Sequence, residues 1–257
     1  MKEVLSRFCN LSYLVNKKTQ LPFFQSFYKL FKNRWFFMHS LVPGFYGRTM
    51  GKSLSPEKAQ ILSEKLPAVN LHHHLEEGHD WPFSNPCWME IGFGFAEHFL
   101  AQQKQNPEIP FIGAEVFKNG VAHCLKHLPT QHKCWIFPEN VHLLMPVIPA
   151  QSIERIFILF PDPWPKKRHH KRRLIQMAFL DQCFRALISQ GALYLASDVP
   201  DLVGWILEVL QQHSGFVYKA GATSADPTTW PAWPLDWPST RYGSKAAHKA
   251  FMIWEKI

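Results

Sequence analysis

The stretch CWMEIGFGFA, Cys87 to Ala96, runs from an apolar segment ending in Glu90 directly into two glycines, Gly92 and Gly94. Such a run reads as a buried strand that turns tightly into a helix, because a residue without a Cβ lets the backbone turn and approach a ligand closely. Outward from it, further strand candidates lie at 110–115 (PFIGAE), 141–145 (VHLLM), 154–160 (ERIFILF), 191–197 (GALYLAS) and 249–255 (KAFMIWE). Helical stretches fall between them, near 95–105, 117–127, 172–188 and 200–213. In the last, Pro200 opens a face of Leu202, Trp205, Ile206, Val209 and Leu210 at helical spacing. Upstream, Ser55 before Pro56 predicts a capped helix start, with Ala59, Ile61, Leu62 and Leu66 on its apolar face. Short apolar strands alternating with amphipathic helices predict an α/β fold, a mostly parallel sheet with helices on both faces. Ligands of such sheets bind at the carboxyl ends of the strands.

A chain of 257 residues can hold one domain of about 200 residues with an extension. Its 46% hydrophobic and 19% charged content is that of a globular protein, and no run reaches the roughly 18 apolar residues of a membrane helix. The formal charge of +8 is unevenly placed: residues 1–37 carry seven Lys/Arg against one acid, Glu3. Net charge therefore says little about the body of the chain, and clustering says more. Lys166, Lys167, Arg168, Lys171, Arg172 and Arg173 crowd onto eight consecutive positions and form a local anion-binding surface. Residues 1–44 stand apart as a basic, aromatic extension; its first 37 residues are open to three readings, a targeting segment, an RNA-contacting arm, or sequence translated upstream of a start at Met38. Five scattered cysteines without a C-x-x-C pair fit a reducing cytoplasm. His72, His73, His74 and His79, beside Glu76 and Glu77, read as an exposed polar loop, since consecutive histidines on a loop cannot all face one ion; no metal is expected.

Gly92 and Gly94 gain meaning from Glu115, which closes the second strand about 20 residues on, where a carboxylate can accept both hydroxyls of a ribose. The dinucleotide pattern lacks its third glycine: Glu97 stands there, and an acid at a helix N-terminus repels a pyrophosphate. S-adenosylmethionine has no phosphate and carries a sulfonium and an ammonium, which suit an acid-flanked loop containing Glu90.

At the other candidate site, the strand ending at Phe160 runs into Pro161-Asp162-Pro163-Trp164-Pro165 and then the cationic cluster. Prolines on both sides of Asp162 restrict the backbone and present the carboxylate in a nearly fixed geometry. FPDPWPKKRHHKRR, Phe160 to Arg173, resembles the signature of the bacterial tRNA (guanine-N7)-methyltransferases. FYGRTMGKSLSPEKAQIL (45–62), EIGFG (90–94), GAEV (113–116), ASD (196–198) and Thr240-Arg241-Tyr242 resemble further segments of that family in the same order. The resemblance implies a Rossmann-like class I methyltransferase domain over 45–257, with a seven-stranded sheet and S-adenosylmethionine as cofactor. It implies methyl transfer to N7 of the variable-loop guanosine at tRNA position 46. Carried over residue by residue, Asp162 is the catalytic carboxylate and Glu90, Gly92, Gly94 and Glu115 bind cofactor. Lys166, Asp198, Thr240, Arg241 and Tyr242 contact the substrate. Lys167, Arg168, Lys171, Arg172 and Arg173 face the RNA backbone, and cations at the start of the helix predicted near 172–188 call for an anionic partner. The expected partner is tRNA, with no membrane or metal, for a cytoplasmic monomer or homodimer.

Three positions depart from the family pattern. Ala96 replaces a glycine of the cofactor loop. Met145-Pro146-Val147, after the third predicted strand, carries no acid or amide for an adenine, and Gly243 stands where the family has glutamate. A non-catalytic RNA-binding relative is the rival these departures leave; an NAD-dependent enzyme is supported by neither the glycines nor the cations. The loop 222–239, with Asp226, Trp230, Trp233, Asp236 and Trp237 among four prolines, is expected to pack onto the domain rather than stack on a base.

Overall fold

A computed structural model describes Thr49, Gly51 and residues 53–234, 237–238 and 243–257. The expectations placed on residues 1–44, on Asp236 and on Thr240, Arg241 and Tyr242 lie outside these. Helix α1 (Pro56–Lys65) begins where the sequence predicts, with the Ser55 hydroxyl accepting from the Lys58 N–H and Pro56 at the first helical position. A 3₁₀ turn (Leu66–Val69) leads to α2 (Leu71–Glu76). This short helix corrects the polar-loop expectation for the histidines. Asn70 caps it by accepting from the His73 N–H, and His72 and His73 sit one turn from Glu76 and Glu77 at 3.1 and 3.3 Å.

The alternating part follows as β1 (Cys87–Ile91), α3 (Glu97–Gln105), β2 (Phe111–Ala114), α4 (Lys118–His127), β3 (Cys134–Phe137), α5 (Val141–Leu144), β4 (Ile153–Leu159), α6 (Met177–Ala186), β5 (Leu187–Ser197), α7 (Pro200–Gln211), β6 (Phe216–Gly221) and β7 (Ala250–Lys256). All seven strands form one sheet in the order β3-β2-β1-β4-β5-β7-β6. The pairs among β1 to β5 are parallel, and β7 runs antiparallel to both β5 and β6. Every residue of β1 and β2 is buried, as strands covered on both faces must be. Trp88, Phe99, Phe111 and Phe157 pack around them in edge and tilted contacts 4.5–6.0 Å apart.

From β1 the chain winds outward through β2 and β3, then returns to lay β4 on the other side of β1. That reversal opens a crevice at the carboxyl ends of β1 and β4, where the side loops diverge. Among the described residues, no helix is long and apolar enough to cross a membrane.

Two strands depart from the sequence reading. The third strand is Cys134–Phe137, while the predicted strand at 141–145 is the short helix α5. A five-residue apolar run is ambiguous between the two forms, and the Asn140 side chain decides it by accepting from the His142 N–H at 3.1 Å as a helix cap. β6, at Phe216–Gly221, was not among the strand candidates read from periodicity; it alternates in burial only weakly at the sheet edge.

Candidate active site

Five loops meet at the carboxyl edge of the sheet, those after the parallel strands β1 to β5. After β1 the backbone takes positive φ at Gly92 (76°), Gly94 (56°) and Ala96 (65°). Ala96 bears a Cβ in a conformation that favours glycine, and it is fully buried at the start of α3. A Cβ placed on Gly92 would meet nothing within 4 Å, so this glycine fronts open space; one on Gly120 would lie 1.9 Å from the Gly94 carbonyl. The glycine loop therefore rests directly on the first turn of α4 while its outer side stays clear.

Glu115 locks that arrangement. One carboxylate oxygen accepts from the Gly94 N–H at 2.7 Å and the other from the Phe117 N–H at 2.8 Å. Burial raises the pKa of its carboxyl, the N–H groups of Phe117, Gly94 and Val116 pull it back, and the nearby Glu90 charge adds to the rise. The carboxylate keeps accepting capacity beyond these bonds, so the residues present fit a ribose diol. Glu90 is buried, but its partner is His98: Nδ1 lies 2.8 Å from a Glu90 oxygen, and Gln102 continues the chain at 3.3 Å from His98 Nε2. Loops after β2 and β3 are held edge to edge by the Glu115 N–H donating to the Phe137 carbonyl at 3.0 Å.

With β3 placed at Cys134–Phe137, the residues that follow it are Pro138, Glu139 and Asn140. An acid and an amide thus stand where Met145-Pro146-Val147 seemed to lack one, and that apparent departure arose from the misplaced strand. Glu139 is exposed at this edge.

On the β4 side, the Phe160 N–H donates to the Ala196 carbonyl at 2.9 Å, extending the β4–β5 register past Leu159↔Ala196. Asp162 and Asp198 therefore project from adjacent strand ends, and both are exposed. Phe160 (φ 53°) and Trp164 (φ 43°) bracket the Pro161-Asp162-Pro163 segment in left-handed backbone, a sparsely populated state for residues of this size. Trp233 stacks on Phe160 with ring centroids 6.0 Å apart, Trp237 is buried edge-on to Trp233, and the Lys249 ammonium sits 4.5 Å over the Trp233 ring. The tryptophan loop packs against the back of the turn, as its composition suggested.

The cationic cluster forms its own 3₁₀ turn, Lys167–Arg172, and α6 starts later, at Met177. The cations therefore do not occupy a helix N-terminus, and the expectation that a helix dipole opposes them falls away. Lys166, Lys167, Arg168 and Lys171 are exposed, and the half-buried Arg172 lies with its guanidinium 5.1 Å from the Trp164 ring centroid. Burial, then the charges of Arg172, Arg168, Lys166 and Lys171, lower the pKa of His169 in their midst.

Arg173 corrects the grouping read from the sequence. Its side chain is only 1% exposed, Nε donates to the Pro163 carbonyl at 2.9 Å, and Nη2 pairs with Asp201 on α7. Its guanidinium also lies 5.3 Å from the centroid of Trp205. A cation so enclosed has no face left for a phosphate.

Upstream, Lys118 donates its N–H to the Thr49 carbonyl at 3.2 Å, and Lys58 Nζ donates to Asn119 Oδ1 at 3.2 Å. These contacts dock the segment before and within α1 against the first turn of α4, next to the loop that Glu115 braces.

Residues 84–256 match the family model described as "Putative methyltransferase". The chain is 40% identical over 212 residues to the tRNA (guanine-N(7)-)-methyltransferase of Rhodospirillum rubrum, covering 79% of this chain and 82% of that protein. Over the same length it is 40% identical to the protein of that name from Paramagnetospirillum magneticum, covering 79% and 87%. It is 41% identical over 213 residues to that of Roseobacter denitrificans, covering 79% and 89%.

Proposed function

The chain belongs to the tRNA (guanine-N(7)-)-methyltransferase family, and on that premise we propose that it methylates N7 of the variable-loop guanosine at tRNA position 46, using S-adenosylmethionine. The observation that carries this reading is the pairing of two loops across the crevice between β1 and β4. One is a braced glycine loop with a buried diol acceptor, Glu115; the other is a stiff turn that holds Asp162 beside exposed cations.

When bound, S-adenosylmethionine supplies an electrophilic methyl group on a positively charged sulfur. Glu115 would accept the ribose hydroxyls, Gly92 and Gly94 would leave room for the ligand, and Glu90, held by His98, would offer its charge to the ammonium group. Guanine N7 offers an exposed lone pair on the major-groove edge, so no base has to deprotonate it first. Methyl transfer to N7 would release S-adenosylhomocysteine and leave positive charge on the purine. Asp162 accepts from the guanine N1–H and exocyclic amine, fixes the ring in line and favours that charge; preorganised groups of this kind are worth about 2.7–4 kcal/mol. Asp198, Lys166 and the segment Thr240 to Tyr242 complete the substrate contacts. Gly243 follows that segment where the family has glutamate, and the loss leaves more of the ring's fixation to Asp162 and Asp198. Lys167, Arg168, Lys171 and Arg172 hold the phosphate backbone.

In this reading residues 45–257 are the methyltransferase domain and residues 1–44 a separate extension, and the protein works in the cytoplasm as a monomer or homodimer. The test is transfer of a labelled methyl group from S-adenosylmethionine to transcribed tRNA by the purified protein, followed by nuclease digestion and mass spectrometry. The expected product is 7-methylguanosine, lost when the variable-loop guanosine is replaced. Binding of tRNA without any transfer would instead identify a non-catalytic relative.

A further inference from the structure

We propose that Arg173 is a positioning residue, a buried clamp that holds the Asp162 turn against α7, and that it makes no contact with RNA. The sequence places Arg173 last in a run of cations, and charge alone does not set it apart from the others. Its surroundings do. The guanidinium is enclosed, while the side chains of Lys166, Lys167, Arg168 and Lys171 are exposed. Nε donates to the carbonyl of Pro163, the residue immediately after Asp162, and Nη2 reaches the Asp201 carboxylate in the first turn of α7.

Three elements meet at this one side chain. The Pro163 carbonyl belongs to the loop after β4 that carries Asp162, and Asp201 lies three residues beyond Asp198, which follows β5. Trp205 on α7 stacks near the guanidinium and donates its own indole N–H to the Ile175 carbonyl at 2.8 Å. His170 adds a ring nitrogen 3.8 Å from the same Asp201 oxygen. Arg173 therefore ties together the two strand-end loops that present Asp162 and Asp198.

A clamp is needed there because the turn holds Phe160 and Trp164 in left-handed backbone, which persists only where the surroundings over-determine it. Trp233 supports the Phe160 end by stacking; Arg173 supports the Pro163 end by a charge-assisted hydrogen bond. Prolines 161, 163 and 165 leave the segment without backbone donors at those three positions. The planar fork of arginine reaches a carbonyl and a carboxylate at once, and lysine, a point charge on a flexible stem, does not.

The catalytic part of this inference rests on the methyltransferase reading; the structural part does not, and the experiment separates them. Arg173→Lys, Arg173→Gln and Asp201→Asn are compared with wild type by hydrogen exchange, tRNA binding against salt, and single-turnover methylation. The clamp predicts that the Phe160 amide, which donates to the Ala196 carbonyl, exchanges at least about tenfold faster in the Arg173 variants, with protection of β1 and β2 unchanged. It predicts tRNA affinity within about twofold of wild type and an unaltered salt slope, since no phosphate contact is lost. It predicts a methylation rate lowered about 10- to 100-fold at saturating tRNA and cofactor, the cost of displacing a reacting group by about 1 Å. Lysine should not restore the rate, and Asp201→Asn should lower it in the same direction. Should Arg173→Gln fail to fold, Arg173→Lys and Asp201→Asn carry the comparison. Unchanged exchange at the Phe160 amide overturns the clamp whether or not the protein methylates tRNA. A loss of tRNA affinity and of about one unit of salt slope in Arg173→Gln, restored by lysine, overturns it in favour of a phosphate contact. Faster exchange with wild-type inactive keeps the clamp and refutes the methyltransferase reading.

Discussion

The two halves of the carboxyl edge are built in opposite ways. On the β1–β2 side the functional groups are buried and spend their hydrogen bonds on the protein itself: Glu115 on two backbone N–H groups, Glu90 on His98. On the β4–β5 side Asp162, Asp198 and four lysines and arginines are exposed, and the supporting residues, Arg173 and Trp233, lie behind them. The first half is shaped before any ligand arrives, as suits a small molecule held in a fixed pose. The second presents charge outward on a stiff turn, as suits a large anionic polymer whose one base must meet a fixed carboxylate.

The largest effect should come from Asp162→Ala. Its turnover is expected to fall about 10²- to 10³-fold, or about 2.7–4 kcal/mol, while affinity for S-adenosylhomocysteine, measured by calorimetry, stays that of wild type. A fall in cofactor affinity would erase the division between the halves. Glu115→Gln should do the reverse, weakening S-adenosylhomocysteine by about 1.5–3 kcal/mol with tRNA affinity unchanged.

The same variant gives a pH test. The folded pKa of Glu115 is raised by burial, so its contribution to stability is full below its unfolded pKa and is lost as pH rises through the folded value. The cofactor-free wild type should therefore lose stability relative to Glu115→Gln as pH rises above the ordinary carboxylate range, as read from urea unfolding. A difference that runs the other way would mean the backbone N–H groups outweigh burial.

Gly120→Ala should destabilise by about 1–3 kcal/mol and loosen the cofactor half alone, because its methyl group meets the Gly94 carbonyl. Lys167→Ala or Lys171→Ala should weaken tRNA severalfold and lower the salt slope by about one unit, with cofactor binding untouched. The smallest signal is chemical inertness. Cys87, Cys124, Cys134 and Cys183 are buried and free, and burial pushes all four thiols well above their ordinary range, that of Cys134 to about 12, so native protein should leave all four unalkylated at pH 8.

The sequence made the exposed half more legible than the buried one. Proline around Asp162 and the run of cations are local signals; the proline turn follows β4 as expected, while the cations form a 3₁₀ turn rather than the helix start read from the sequence. The glycine turn and the strand-end place of Glu115 were legible too, because an acid about 20 residues beyond a glycine loop is a recognisable spacing. What failed to show were pairings between distant residues. Nothing local distinguishes Arg173 from Arg172, since one is enclosed and the other half-buried only after α7 brings up Asp201 and Trp205. His98 likewise meets Glu90 only once α3 lies on the sheet. The third strand was misplaced because CWIF is only four residues long while VHLLM is the longer run, and a single capping amide at Asn140 turned the latter into a helix. That shift also created the false gap at Val147.

The division of labour between the halves is tested most directly by single-turnover methylation of tRNA at saturating tRNA and saturating S-adenosylmethionine, comparing wild type, Asp162→Ala and Glu115→Gln. The account predicts that Glu115→Gln recovers to near the wild-type rate once cofactor is saturating, while Asp162→Ala remains about 10²-fold or more below it. An Asp162→Ala rate near wild type, or a Glu115→Gln rate that saturation does not restore, would contradict it.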